Sequence, residues 1–149
     1  TDSPINYVNA RAIALDKGMR VRETTDQSPE DFSSLIKLKI EHAEGSLDEV
    51  WGTIYEKKYP RLIRMGKVYL DAIPEGPMIV IQNIDKPGVI GHVGTTLGRH
   101  NVNIGRFQLG RRDDRAVCLV NIDSPASEEA LAEIKSLPVI LSVKQVHLG

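Results

Sequence analysis

The stretch "NIDKPGVIGHVGTTLGRHNVNIG", residues 83 to 105, concentrates the residues whose types and spacing could do chemistry. Glycines stand at 88, 91, 94 and 98, Asp85 precedes the Pro87-Gly88 pair, and asparagines flank the run at 83 and 103. A phosphate-cradling loop of the Walker type needs a lysine after its last glycine, and none follows here; the dinucleotide fingerprint needs G-x-G-x-x-G, whereas this spacing is Gly-x-x-Gly-x-x-Gly. Such positions lie along one side of a helix, where each glycine costs up to about 1 kcal/mol against alanine. The compensation is close approach of a neighbour, either another backbone in helix-to-sheet packing or a ligand.

Gly88 is a separate case. It opens the expected helix beside Pro87, where the amides of Gly88, Val89 and Ile90 and the helix dipole favour an anion. Asp85 stands at the preceding strand end and faces the same place. A carboxylate beside a cluster of backbone donors suits a ligand bearing both charges, such as an amino acid: the amides hold its carboxylate and Asp85 its ammonium. The alternative at this level is that Asp85 only caps the helix.

Other side chains carry less. Arg61, Arg64 and Lys67 in "PRLIRMGK" form a compact basic group on a hairpin, a candidate anion site or, more commonly, a solvated edge that discourages strand pairing. His42, His92, His100 and His147 show no metal-ligand spacing with Cys118 or with one another. Cys118 falls in an apolar strand, where a buried inert thiol is the default. No catalytic Ser–His–Asp or Cys–His arrangement can be argued, and Arg111, Arg112 and Arg115 around Asp113-Asp114 read as an exposed hairpin tip.

The elements that must position these residues fall into two groups. From residue 77 the pattern is "MIVIQNI" (strand), 88 to 100 (helix, with Ile90, Val93 and Leu97 on one face), "VNIGRFQLG" (strand), "RRDD" (turn), "RAVCLVNID" (strand), "SEEALAEIKSL" (helix with Ser127 as N-cap) and "ILSVKQVHL" (strand). The order βαββαβ is a ferredoxin-like split unit within an α+β fold class. Before it, "SPINYVNARAIALDKG" predicts a helix from Ser3 and Pro4 to a left-handed stop at Gly18, with Ile5, Val8, Ala12 and Leu15 on one face. "MRVRETT" is a weak strand, "SLIKLKIE" a half-buried one through Ile36, Leu38 and Ile40, and "LDEVWGTIYEK", "PRLIR" and "KVYLDAI" follow, the last two joined at Met65-Gly66. One helix and about five strands make a thin core. Residues 1 to 76 are therefore expected to be part of a larger α+β domain that begins upstream, separated by the "PEGP" boundary from a second domain at 77 to 149.

The totals restrict the function classes. Nineteen Lys and Arg against twenty Asp and Glu leave a formal charge of -1 over 149 residues, which calls for neither nucleic acid nor an anionic membrane as a bulk partner. A single cysteine excludes an internal disulfide framework and suits a reducing, cytoplasmic setting. No apolar run approaches the roughly 20 residues of a membrane span.

The 83 to 105 stretch resembles an ACT domain, a small-molecule regulatory module of amino-acid metabolism. With "NYVNARAIALDKGMRVRETT" and "GTIYEKKYPRLIRMGKVYLDAIPEG" before it, nearly the whole chain resembles the C-terminal part of bacterial long-type D-3-phosphoglycerate dehydrogenases. There an intervening, allosteric substrate-binding domain precedes the ACT domain. The resemblance implies a regulatory part of L-serine biosynthesis, with L-serine as effector at a two-fold ACT interface in a homodimer or higher homo-oligomer. It implies that the parent enzyme is the NAD-dependent oxidoreductase, while this part has no catalytic residue, no NAD of its own and no metal. It places the effector at Asp85 and Asn83, where relatives carry His or Tyr at the latter, with Asn103 reaching across from the partner chain. Without the resemblance, Asn103 reads as a turn-favouring residue. The intervening domain's name implies an anionic ligand, for which Arg61, Arg64 and Lys67 are candidates. The same two domains also occur in the smaller subunit of iron–sulfur L-serine dehydratase. A free-standing amino-acid sensor and a purely structural dimerisation module are further alternatives.

Overall fold

The computed structural model describes residues 5–25 and 34–148. Two four-stranded antiparallel sheets lie one after the other along the chain. The first comprises β1 (Leu35–Glu41), β2 (Leu47–Tyr55), β3 (Tyr59–Met65) and β4 (Val68–Ala72), paired in chain order. It follows the helix α1 (Ala10–Asp16). The second comprises β5 (Gly76–Ile84), β6 (Ile104–Arg112), β7 (Arg115–Ile122) and β8 (Ile140–Leu148) in the order β6-β7-β5-β8, with α2 (Val89–Arg99) after β5 and α3 (Glu128–Lys135) after β7. This is the βαββαβ unit expected, within an α+β fold.

The two central strands of the second sheet, β5 and β7, are buried on both faces. Ile79, Ile81, Cys118, Val120 and Ile122 meet Val93 and Leu97 of α2 and Ala130 and Ile134 of α3. Met78, Val117 and Leu119 on the opposite face meet Val68 and Ala72 of β4. That is why "MIVI" and "AVCLV" are apolar without alternation: each residue has a dry neighbour whichever way it points. The closest contact is at Gly110 of β6. A Cβ there would stand 2.5 Å from the Tyr69 carbonyl oxygen and 2.5 Å from Val68 Cγ1, so β4 crosses β6 where no side chain intervenes. The connection between the sheets is held down as well. The Asn121 amide donates to the carbonyls of Ile73 (3.1 Å) and Glu75 (3.0 Å), and Arg106 pairs with Glu75 at 2.9 Å.

α2 and α3 are joined through one carboxylate. Glu133 accepts from the Thr96 hydroxyl (3.3 Å), from Arg99 and from His100 (3.0 Å). The His100 hydrogen bond, with the Arg99 charge assisting, holds the Glu133 carboxyl below its ordinary range against a weaker opposing effect of burial.

Several elements differ from expectation, each for a local reason. The helix near the start begins at Ala10; Ser3 and Pro4 lie outside the described residues. Its first turn is closed by Asn6 and Asn9, whose side chains accept from each other's backbone amides at 3.1 and 2.8 Å, a reciprocal cap that leaves Ile5 and Val8 outside the helix and exposed. Gly18 does take the left-handed stop, at φ 76°. "MRVRETT" forms no strand, so among the described residues four strands precede residue 76 rather than about five. β1 forms as expected, but its apolar face is open, with Ile36 69% and Leu38 57% exposed, because the cover supplied by the second sheet ends at β3 and β4. The strand expected from Met78 already starts at Gly76. In α2 the buried face is Val89, Val93, Thr96 and Leu97, while Ile90 turns outward.

Two measurements test this packing. Gly110→Ala is expected to cost about 1–3 kcal/mol through overpacking against backbone, read as a lower urea midpoint; an unchanged midpoint would show that β4 does not press on β6. Because the folded Glu133 carboxyl lies below its ordinary range, its contribution is present above the unfolded value of 4.5 and disappears as pH falls through the folded value. Glu133→Gln should therefore be less stable than wild type at pH 7, the two melting temperatures converging in acid; a pH-independent gap would assign Glu133 a purely steric role.

Candidate functional site

The end of β5, the turn into α2 and the β6–β7 hairpin enclose a cleft of about 260 Å³. Asn83, Asp85, Gly88, Val89 and Ile90 line one side, Leu109 and Arg111 the other, with Cys118 also among its lining residues. Gly88 is the N-cap of α2 at φ 94°, a left-handed conformation that turns the chain into the helix at little cost for glycine alone. The amides of Val89, Ile90 and Gly91 that follow have no carbonyl partner within the helix, so the cleft has donors and the positive end of a dipole on this side. His92 is the first residue whose amide closes a helical bond, to the Gly88 carbonyl at 2.9 Å.

Asp85 is fixed through its backbone, whose amide donates to the Asp114 carbonyl at 2.8 Å and ties the turn to the hairpin tip. Its side chain is 20% exposed and takes two donors on one oxygen: Arg111 Nε at 2.8 Å and a terminal guanidinium nitrogen at 2.7 Å, both on Oδ2. No amide of α2 donates to Asp85 among the described residues, so helix capping is not what its carboxylate does here. Asn83 is buried, its amide nitrogen donating to the Ile84 carbonyl at 2.8 Å and its oxygen accepting from Cys118 Sγ at 3.7 Å. Burial, with the charge of Asp85 adding to it, pushes the Cys118 thiol up to about 11.

Asn103 is not at this cleft. It stands just before β6, eight residues from Arg111, or roughly 26 Å of extended strand. Its amide donates to Asp123 Oδ2 at 2.7 Å. The three basic residues of the β3–β4 hairpin separate too. Arg61 pairs with Asp71 at 3.3 Å, and Arg64 lies over the Trp51 ring at 4.2 Å with its Nε on the Gly66 carbonyl at 2.8 Å. Lys67 instead lines a second cleft of about 200 Å³ between the sheets, with Asp48, Gln82 and Arg115. The histidines are dispersed, His92 on the carbonyls of Glu133 and Ile134 at 3.1 Å and His42 on Asp48 at 2.9 Å. A Cβ at position 91, 94 or 98 would meet nothing within 4 Å, so packing among the described residues does not require glycine there.

Sequence reasoning missed Arg111, which it placed on an exposed hairpin tip. The usable signal was register. A hairpin turning at Asp113-Asp114 pairs Arg111 with Ala116, and β7 pairs Ala116 with Asn83 of β5. Arg111 thus lies two strands across from Asn83, beside the turn that carries Asp85.

The chain is similar to known proteins over nearly all of its length. The D-3-phosphoglycerate dehydrogenase intervening domain matches residues 1–66, and the ACT domain matches residues 78–139. The chain is 34% identical over 146 residues to the D-3-phosphoglycerate dehydrogenase of Methanocaldococcus jannaschii, covering 97% of this chain and 27% of that one. To the enzyme of Archaeoglobus fulgidus it is 32% identical over 148 residues, covering 97% and 28%. To that of Bacillus subtilis it is 30% identical over 149 residues, covering 99% and 28%. The chain thus spans a little over a quarter of the length of these relatives.

The cleft makes one prediction independent of any ligand. With its thiol at about 11 rather than 9.0, Cys118 carries about a hundredfold less thiolate at pH 8 than an ordinary cysteine. Alkylation by iodoacetamide at pH 8 should be at least that much slower in the folded chain than in urea, followed by mass spectrometry; prompt folded-state alkylation would show that Cys118 is neither buried nor charge-suppressed.

Proposed function

The chain belongs to the D-3-phosphoglycerate dehydrogenase family as its intervening and ACT regulatory domains, and we propose that it senses L-serine for feedback control of such an enzyme. Residues 77 to 149 act as the effector-binding domain and residues 1 to 76 as part of the intervening domain. The observation that carries this reading is the placement of the Asp85 carboxylate in the same 260 Å³ cleft as the first turn of α2. An α-amino acid presents the complement: its ammonium goes to Asp85, and its carboxylate to the amides of Val89, Ile90 and Gly91. The cleft's size suits a ligand of a few heavy atoms. Asn83, held by Ile84 and Cys118, shapes the wall more than it offers a free donor.

Asn103 enters from a second copy. Its distance along β6 from the cleft excludes a contribution within one chain, whereas a two-fold arrangement supplies the Asn103 of each copy to the other's cleft. The open glycine positions 91, 94 and 98 on α2 fit such an approach, since a partner backbone can come close where no side chain stands. Regulation then follows from linkage: serine shifts the parent enzyme only as far as it prefers one arrangement of domains or subunits to another. The NAD-dependent oxidation of D-3-phosphoglycerate is the work of other domains of that enzyme.

Thermal unfolding with L-serine, D-serine, glycine and phosphate tests the reading. At about 100 times its dissociation constant a ligand adds about 2.7 kcal/mol, a shift of several degrees. L-serine should raise the melting temperature and D-serine should not. Asp85→Ala is expected to abolish the shift while leaving the oligomeric state unchanged, and Asn103→Ala to weaken it. An unaffected shift in Asp85→Ala would remove the site, and one in Asn103→Ala the cross-interface part.

A further inference from the structure

Arg111 introduces a difficulty for that reading, and the difficulty is informative. The carboxylate offered to the effector's ammonium already has a cation on it. Were Arg111 only a resident counter-ion, the effector would have to displace it, and a tethered guanidinium making two contacts competes strongly with a free ammonium.

The geometry avoids displacement. Both Arg111 contacts fall on Oδ2 of Asp85, and Oδ1 takes no donor among the described residues. The guanidinium spends Nε and one terminal nitrogen on Asp85, leaving its other terminal nitrogen with two N–H donors and no recorded partner. Asp85 and Arg111 thus form an ion pair with one open end on each side, both ends in one cleft. Both members stand on a held backbone. Asp85 is held by its amide bond to Asp114. Arg111 is flanked by Gly110, against which β4 packs, and by Arg112, which donates to the Lys67 carbonyl at 3.1 Å.

We propose that Arg111 is a specificity-determining residue of the effector site: the Asp85–Arg111 pair stays closed and receives a zwitterion across its open ends. The effector's ammonium takes Asp85 Oδ1, and its carboxylate bridges Arg111 and the first-turn amides of α2. The ligand class is then restricted to small molecules bearing both charges at α-amino-acid spacing. An amine without a carboxylate leaves Arg111 unanswered, and a hydroxy acid leaves Asp85 Oδ1 unanswered. This inference rests on the effector reading given above.

The test uses three ligands on the whole chain, with affinities by calorimetry: L-serine, L-serinamide (no carboxylate) and glycerate (no ammonium). Wild type should prefer L-serine to both by about tenfold or more, the range of one hydrogen bond to a charged group. Arg111→Ala should narrow the distinction between L-serine and L-serinamide severalfold, the α2 amides keeping the rest, and leave that between L-serine and glycerate unchanged; Arg111→Lys should restore part of the first. Arg111 is 64% exposed, so these variants are expected to fold, checked by their melting temperature. Arg111→Ala that discriminates against serinamide as strongly as wild type, or binds L-serine more tightly than wild type, would make Arg111 a mere competitor and overturn the proposal while sparing the effector site. Wild type that binds none of the three would remove the effector site and this role together.

Discussion

The constraint on which the rest of the structure depends is the two-sided burial of β5 and β7. Antiparallel sheets ordinarily keep one face wet. Here α2 and α3 dry one face and β4 the other, leaving Met78, Ile79, Ile81, Leu119 and Val120 all at or near zero exposure. Register in such a sheet has no slack, because a one-residue slip would exchange two different sets of neighbours. That rigidity is what places functional groups. Asn83 at the end of β5 and Cys118 in β7 become fixed walls, and the turn from Asp85 to Gly88 starts from a fixed point. The hairpin carrying Arg111 is pinned from both sides, by β7 and by β4 crossing at Gly110.

The first sheet is organised differently. Its β3–β4 side shares the core below the second sheet, and its β1 side extends past it. On the other face Trp51 is nearly dry because long side chains cover it: Lys37 at 4.1 Å, Arg64 at 4.2 Å and Tyr69 edge-on at 6.4 Å. Such cover mixes cation–π contact with aliphatic stems lying on the ring. It also explains why Arg61 and Arg64 do not stand ready as a pair for an anion: one is matched to Asp71, and the other is part of the wall over Trp51.

Much of the second unit was legible in the sequence because its local signals agreed with its tertiary packing. Ser127 caps α3 through Ala130, Gly88 marks the start of α2, and the 113–114 turn separates two strands of matched length. The first unit was less legible because its signals conflict with what covers it. Ile36, Leu38 and Ile40 alternate as a half-buried strand should, yet what they would bury against is not supplied by the described residues. The Asn6–Asn9 reciprocal bonds before α1 have no comparable signature in the sequence. At the cleft, Asp85 was legible from its neighbours in sequence. Arg111 was not, since its position depends on two strand registers and is invisible in any window around residue 111.

The shared packing beneath the second sheet has a consequence for modularity. The family matches leave residues 67–77 between them, and β4 within that gap packs under the second sheet, so a cut at the start of the ACT match crosses a shared core. An ACT unit severed there would carry Met78, Val117 and Leu119 into water as a bare apolar patch, with Gly110 left as a notch shaped for a strand that has gone. Grafting the ACT unit onto a foreign protein therefore means transplanting β4 with it or repainting that face with polar residues.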